Sequence, residues 1–379
     1  MTRLFRILFS IAYLLAGNFS YAATLFVLHS VGETNALVPV INQLPKGSYK
    51  ILAFGPAFSK LKNNPSTIHI LAKYQRKGVK ETINEEDLQQ LKSLLGTPYV
   101  LVTGMASTVQ AQIVNAFGEK TKKVIFYDNF DPLWTTTQGI KEYIRPFYEA
   151  LASGQPYHLI IPGTSYLESA RHLDKFSSAI MAPLGQPSLE EWDAIYEKTD
   201  PIKLRKELNI PENHKVILYA GGFDPVDRDQ YEENFIHFLK GATSFEGVSI
   251  LVTYHPKTQG AIERMLVKSY GGSATRIIEK ERGYSTAQLS TIADVVVCFK
   301  STVGAQAAYM GKPVLYVAKK YENFLTKAGL ALLETNSEGV RAAISTIFAE
   351  KGRMKFSFAE TLGVPKEASK EIAKLLQNL

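Results

Sequence analysis

From Thr24 onward, short and continuous apolar runs rich in β-branched residues alternate with longer stretches of helical spacing. Strands that are apolar throughout are covered on both faces, and strands alternating with helices build a parallel sheet. In the first half the pattern predicts strands at 24–29, 49–54, 68–72, 99–103, 123–127 and 158–161, with helices at 33–43, 85–95, 109–117 and 137–152. Asn84 before Glu85-Glu86-Asp87 is a helix start, a capping side chain ahead of an acidic first turn. Residues 182–211 break the rhythm with prolines at 183, 187, 201 and 211 and two polar helical stretches, which reads as a linker. The alternation then resumes. Strands are expected at 215–220, 248–254, 276–279, 295–299 and 313–317, with helices at 229–240, 260–268, 285–293 and 303–310. A last helix at 366–379 carries Ile372, Leu375, Leu376 and Leu379 on one face. The expected fold class is α/β, with two Rossmann-like doubly wound domains at 23–181 and 212–379 and the last helix counted with the second.

The first 22 residues stand apart. Arg3 and Arg6 precede an apolar stretch from Ile7 to Gly17, and Ser20-Tyr21-Ala22 offers small residues for cleavage after Ala22. That is the order of a secretory signal, and the apolar stretch falls short of the ~20 residues of a membrane-spanning helix. Export to the periplasm or beyond is expected; the alternative is an uncleaved anchor at the cytoplasmic face of the inner membrane. The net charge of +7 suits an anionic ligand or peripheral contact with an anionic membrane. Without dense Lys/Arg blocks interleaved with aromatics, nucleic acid is excluded as a partner. A single cysteine, Cys298, rules out an internal disulfide, and inside the apolar run 295–299 it reads as a small buried hydrophobe.

Ligands of open parallel sheets bind beyond the carboxyl ends of the strands, where glycines and helix N-termini receive phosphates. The most informative stretch ends a helix in Ala293-Asp294, crosses the strand at 295–299, and turns at Lys300-Ser301-Thr302 into Val303-Gly304-Ala305-Gln306, with Gly311-Lys312-Pro313 following. Ser301 or Thr302 would cap the helix, with or without a ligand in front of it. Gly221-Gly222-Phe223-Asp224 closes one strand of the second domain and His255-Pro256 another. In the first domain, Ser30-Val31-Gly32-Glu33 follows the first strand, where Glu33 can act in catalysis or complete a capping box with Ser30. Thr103–Thr108, Asp128–Asp131 and Pro162–Ser165 also end strands, with ordinary turn compositions.

The stretch from Ala293 to Pro313 resembles the nucleotide-binding segment of GT-B enzymes such as lipid A disaccharide synthases, Kdo transferases, the GlcNAc transferase of peptidoglycan synthesis and UDP-N-acetylglucosamine 2-epimerases. The resemblance implies a GT-B architecture, two domains facing across a cleft, and a nucleotide-sugar held by Gly221, Gly222, His255, Lys300, Ser301, Thr302 and Gln306. In those families a glutamate that grips the ribose occupies the place of Gln306. His255-Pro256 is similar to a His-Pro of Kdo transferases and CDP-glycerol polymerases, which often carry an arginine where Tyr254 stands. Ser30–Glu33 resembles the opening of Kdo transferases, whose glutamate is the general base, so Glu33 is the expected catalytic residue. The implied activity is a glycosyltransferase moving a sugar from a nucleotide-sugar to an acceptor, a surface glycan or lipid, with no cofactor and no metal. Two alternatives stand beside it: an exported binding module without chemistry, and a sugar-nucleotide epimerase. Export itself raises a difficulty, because nucleotide-sugars are made in the cytoplasm.

Overall fold

The computed structural model describes residues 24–69, 80–135, 139–222, 228–255, 258–279, 282–319, 321, 323–349 and 357–379. The expected signal at 1–22, Phe223, Asp224 and Pro256 lie outside them. The chain divides into two compact units, one running to Pro187 and regaining Pro365–Leu379, the other spanning Ser188–Val364.

The first unit is built on strands β1 (Thr24–Leu28), β2 (Tyr49–Ala53), β3 (Thr67–Ile68), β4 (Val100–Thr103) and β5 (Lys122–Phe126). A small antiparallel hairpin of β6 (Trp134–Thr135) and β7 (Gly139–Ile140) precedes β8 (Tyr157–Ile161) and β9 (Ile180–Pro183). The main sheet has seven strands in the order β3-β2-β1-β4-β5-β8-β9, every pair parallel. Val27 lies beside Leu52 on one side and Thr103 on the other. The chain order reverses between β1 and β4, the place at which ligands of open parallel sheets commonly bind. Phe26, Leu28, Ile51, Val102 and Phe126 are buried in one core cluster with Ala36, Leu37 and Val40 of the helix Val31–Gln43.

The second unit repeats the scheme with β10 (Lys215–Ala220), β11 (Val248–Val252), β12 (Thr275–Ile277), β13 (Val295–Cys298), β14 (Val314–Val317) and β15 (Leu332–Glu334). These form a six-stranded sheet in the order β12-β11-β10-β13-β14-β15, parallel throughout, with its reversal between β10 and β13. Its core joins Ile217, Ile250, Val295 and Leu315 to Phe235 and Phe238 of the helix Arg228–Ala242. Cys298 is buried in β13, and burial pushes its thiol well above the ordinary range. Helix Ser337–Ala349, which the alternation does not predict, covers this core with Val340 and Ile344.

Three expectations change. The stretch 137–152 is not one helix: among the described residues it holds β7 and a short helix, Arg145–Ala150, with Pro146 in its first turn. Gly139 adopts a left-handed φ of 64° in the β6–β7 hairpin, a conformation that a helix cannot use. The stretch 182–211 is no free linker. Its start completes β9, and its helices Ser188–Lys198 and Pro201–Glu207 belong to the second unit. There Tyr309 donates to Asp193 at 2.8 Å and the Tyr196 hydroxyl meets Ser290 Oγ at 2.8 Å. Finally, the C-terminal helix Ala368–Asn378 returns to the first unit, where Ile372, Ala373 and Leu376 bury against the cluster that includes Val40 and Ile41.

Candidate functional site

Ser30 leaves β1 in an extended conformation and caps the helix Val31–Gln43. Its Oγ accepts from Glu33 N at 3.2 Å, and Glu33 Oε1 accepts in return from Ser30 N at 2.8 Å and from His29 N. This is a complete capping box. Gln110, from the helix Thr108–Ala116 after β4, donates Nε2 to the same Oε1 at 3.0 Å and to Val27 O at 3.1 Å. One carboxylate oxygen thus gathers three donors. The other, Oε2, is buried and has no hydrogen-bond partner among the described residues.

The Glu33 side chain is fully enclosed. A helix N-terminus favours an ionised carboxyl, but burial outweighs it here and the nearby Asp128 charge adds to the effect, raising Glu33 from the ordinary 4.5 to about 8. Asp128 follows β5 and stays partly accessible. Burial of its carboxyl lifts it from 3.8 to about 6. The pair is packed by two glycines: a Cβ on Gly32 would come within 2.5 Å of Asp128 Oδ2, and one on Gly104 would lie 2.6 Å from Glu33 Cδ.

The turn that bears Asp128 is tied down by three side chains, each donating to a different main-chain carbonyl. Gln186 Nε2 reaches Asp128 O at 2.6 Å, Tyr166 OH reaches Phe130 O at 2.9 Å, and Tyr127 OH reaches Asp131 O at 2.6 Å. Hydrogen bonds of this kind preorganise a carboxylate without neutralising it. Glu33 was expected from the sequence; Gln110, Gln186 and the pairing with Asp128 were not, because the partners come from turns far apart in the chain.

In the second unit the expected nucleotide-binding residues sit at strand ends. Gly221 and Gly222 follow β10, and Gly221 N donates to Thr253 O at 3.1 Å. His255 follows β11, with its carbonyl accepting from Thr258 N at 3.1 Å and Thr258 Oγ1 at 2.9 Å. Lys300, Ser301 and Thr302 link β13 to the helix Val303–Tyr309. Ser301 Oγ accepts from Val303 N at 3.3 Å, whereas Thr302 is exposed and its side chain makes no capping bond. Gln306 is partly exposed one helical turn on, with its backbone N–H donating to Thr302 O at 3.1 Å. The Lys300 ammonium lies 5.1 Å from the centre of the Phe299 ring.

The rest of this stretch is structural. Asp294 accepts from Val216 N at 2.9 Å and Lys215 Nζ at 3.4 Å, tying β13 to β10. Lys312 Nζ caps the helix Thr286–Thr291 through Thr291 O at 2.8 Å and Ala293 O at 3.1 Å. No group of three or more metal-ligating side chains occurs among the described residues, and none of their helices is long and apolar enough to cross a membrane.

No protein-family model and no curated protein matches the sequence. Solved structures do match the fold over nearly the whole chain. A UDP-GlcNAc 2-epimerase from Neisseria meningitidis, bound to UDP-GlcNAc, is 15% identical with a TM-score of 0.65, covering 94% of this chain and 100% of that one. The MnaA–UDP structure from S. aureus is 14% identical with a TM-score of 0.66, covering 93% and 96%. The wall teichoic acid polymerase TagF is 14% identical with a TM-score of 0.54, covering 99% and 96%. The chain has the two-domain GT-B fold these proteins share.

Proposed function

We propose that the chain binds a nucleotide-sugar and performs acid–base chemistry on its sugar. Gly221, Gly222, His255, Lys300, Ser301, Thr302 and Gln306 are assigned to the nucleotide, and Glu33 with Asp128 to the proton. The observation that carries the reading is this carboxyl pair, with Glu33 raised to about 8 and Asp128 to about 6. Between those values the pair holds one proton, which leaves Asp128 ionised beside a protonated Glu33 at neutral pH. Asp128, the accessible member, is the base; enclosed Glu33 holds the proton and orients the site. A reaction that takes a proton from the sugar and returns one can run through Asp128, with Glu33 holding it in place, and needs no acceptor, which favours a sugar-nucleotide epimerase. The likeness in fold to proteins solved with UDP-GlcNAc and UDP supports the ligand class.

Glycosyl transfer is the second reading. It is favoured by the likeness of Ser30–Glu33 and His255-Pro256 to transferase motifs, and requires one base to deprotonate the acceptor. Incubation of the chain with UDP-, CDP- and GDP-sugars in D2O separates the two. Deuterium entering the sugar without acceptor identifies epimerase chemistry; nucleoside diphosphate released only with a glycan or lipid acceptor identifies transfer. Absence of binding to every nucleotide at millimolar concentration would sink both. The N-terminal segment extends the proposal to export, which requires a nucleotide-sugar supply in the receiving compartment.

A further inference from the structure

A second buried acid, which the proposed chemistry does not use, lies beneath the turns that close β10, β11 and β13. Glu263 stands in the first turn of the helix Ala261–Tyr270 and is fully buried. Its Oε1 accepts the Tyr231 hydroxyl at 2.5 Å, and its Oε2 has no hydrogen-bond partner among the described residues. Burial raises its pKa above the ordinary carboxylate value.

The turns after β10 and β13 touch this pair, and the turn after β11 joins them through Gly221, whose N–H donates to Thr253 O. Gly221 comes so near that a Cβ there would sit 3.1 Å from Glu263 Oε1 and 2.6 Å from Tyr254 Cα. Gly222 packs between rings: a Cβ would stand 3.7 Å from Tyr231 Cε2 and 3.7 Å from Phe299 Cβ. The Tyr231 and Phe299 rings meet edge to face at 5.5 Å, and Tyr231 stacks on Phe235 at 6.2 Å. The neighbouring Arg264 bonds outward instead, to Glu279 at 2.5 Å, with its guanidinium 5.1 Å from the Tyr254 ring centre. That leaves the Tyr231 hydroxyl as the donor to Glu263 among the described side chains.

We propose that Glu263 and Tyr231 form a positioning pair that holds Gly221–Gly222, Thr253–His255 and Phe299–Lys300 in mutual register. Its link to nucleotide binding rests on the ligand assigned to those turns above; the mechanical coupling does not. Without the hydroxyl bond the Tyr231 ring can shift, and the contacts it makes with Gly222 and Phe299 relax together. The pair touches no ligand itself.

Hydrogen exchange on the full chain, read peptide by peptide, tests the coupling without any ligand. Tyr231→Phe removes the hydroxyl alone, and Glu263→Leu removes the acceptor at similar volume. Each is expected to speed exchange roughly five- to tenfold in peptides covering 219–222, 250–255 and 297–302, the effect of one lost hydrogen bond on local opening. Peptides of Ser337–Ala349 should not change. Glu263→Gln keeps an oxygen acceptor and should behave as the unmodified chain. Uniform acceleration across the unit, acceleration in fewer than all three turns, or Glu263→Gln matching Glu263→Leu would overturn the proposal. UDP titration is read in parallel, with weaker binding expected for Tyr231→Phe and rescue in Glu263→Gln. If the unmodified chain binds no UDP, the nucleotide assignment fails while the exchange data still decide the coupling.

Discussion

Gly104 faces the Glu33 carboxyl at a distance no side chain can share, with 2.6 Å between Glu33 Cδ and the position of a Cβ. The turn after β4 therefore closes over the end of β1, and this closure strips water from Glu33. The same contact explains why a group at a helix N-terminus, with three donors on one oxygen, still holds its proton near neutrality. Desolvation of a fully enclosed carboxyl exceeds what those donors return.

Gly104→Ala should consequently destabilise the first unit by ~1–3 kcal/mol, the usual cost of overpacking a closed site. In a Glu33→Ala background the methyl group finds the space vacated by the carboxyl. Urea unfolding of the two single variants and the double variant should show a coupling of at least ~1 kcal/mol. Strict additivity would mean that the two residues do not meet.

The pH dependence of stability follows from the raised carboxyls. Folded Glu33 binds its proton up to about 8, against an ordinary value of 4.5, so between those values the native state holds more protons than the unfolded one. Stability is then highest below about pH 4.5 on this account and falls as pH rises through 8. Asp128 adds a smaller decline between 3.8 and about 6. Glu33→Gln, neutral at every pH, should flatten the loss between pH 6 and 8, by an amount on the order of 2 kcal/mol. Unfolding midpoints from pH 5 to 9 measure it; identical slopes in both proteins would show that Glu33 is ionised in the folded state at neutral pH.

Gln306 is the point at which the stretch from Ala293 to Pro313 departs from the glutamate of the enzymes it resembles. If its amide meets ribose hydroxyls, Gln306→Glu adds a charge-assisted hydrogen bond worth ~1 kcal/mol, roughly fivefold in nucleotide Kd. Calorimetric titration with UDP and CDP reads the change. An unaltered Kd for every nucleotide that binds would remove Gln306 from the site.

Much of this architecture was legible because a buried parallel strand announces itself locally. Val295-Val296-Val297 can hardly be anything else, and the capping residues Asn84 and Ser30 mark helix starts where the structure has them. What the residues could not disclose was partnership. The turn Asp128-Asn129-Phe130-Asp131 has an ordinary composition, and its importance comes from Tyr166, Gln186 and Gly32, brought to it only by folding. Glu33 was legible as a cap or a base, but its protonation depends on Gly104 and Gln110, which local sequence cannot weigh. Likewise the stripe on 366–379 states that a helix must bury one face without naming the surface that receives it.

That last helix supports the final prediction. Ile372 and Leu376 bury in the cluster containing Ala36, Leu37 and Val40, so the closing residues of the chain complete the core of its first unit. Ile372→Ala should cost ~2–5 kcal/mol, as for other large-to-small changes in a closed core. The loss should fall on the unit that carries Glu33, although the substitution is near the C-terminus. Exchange protection in β1 and β2 should therefore drop while that of β10 and β11 is kept. The opposite distribution would assign the helix to the second unit, as its position in the sequence suggests. The physical argument favours the first, because removing Ile372 and Leu376 would uncover apolar residues of Val31–Gln43 that share their buried cluster.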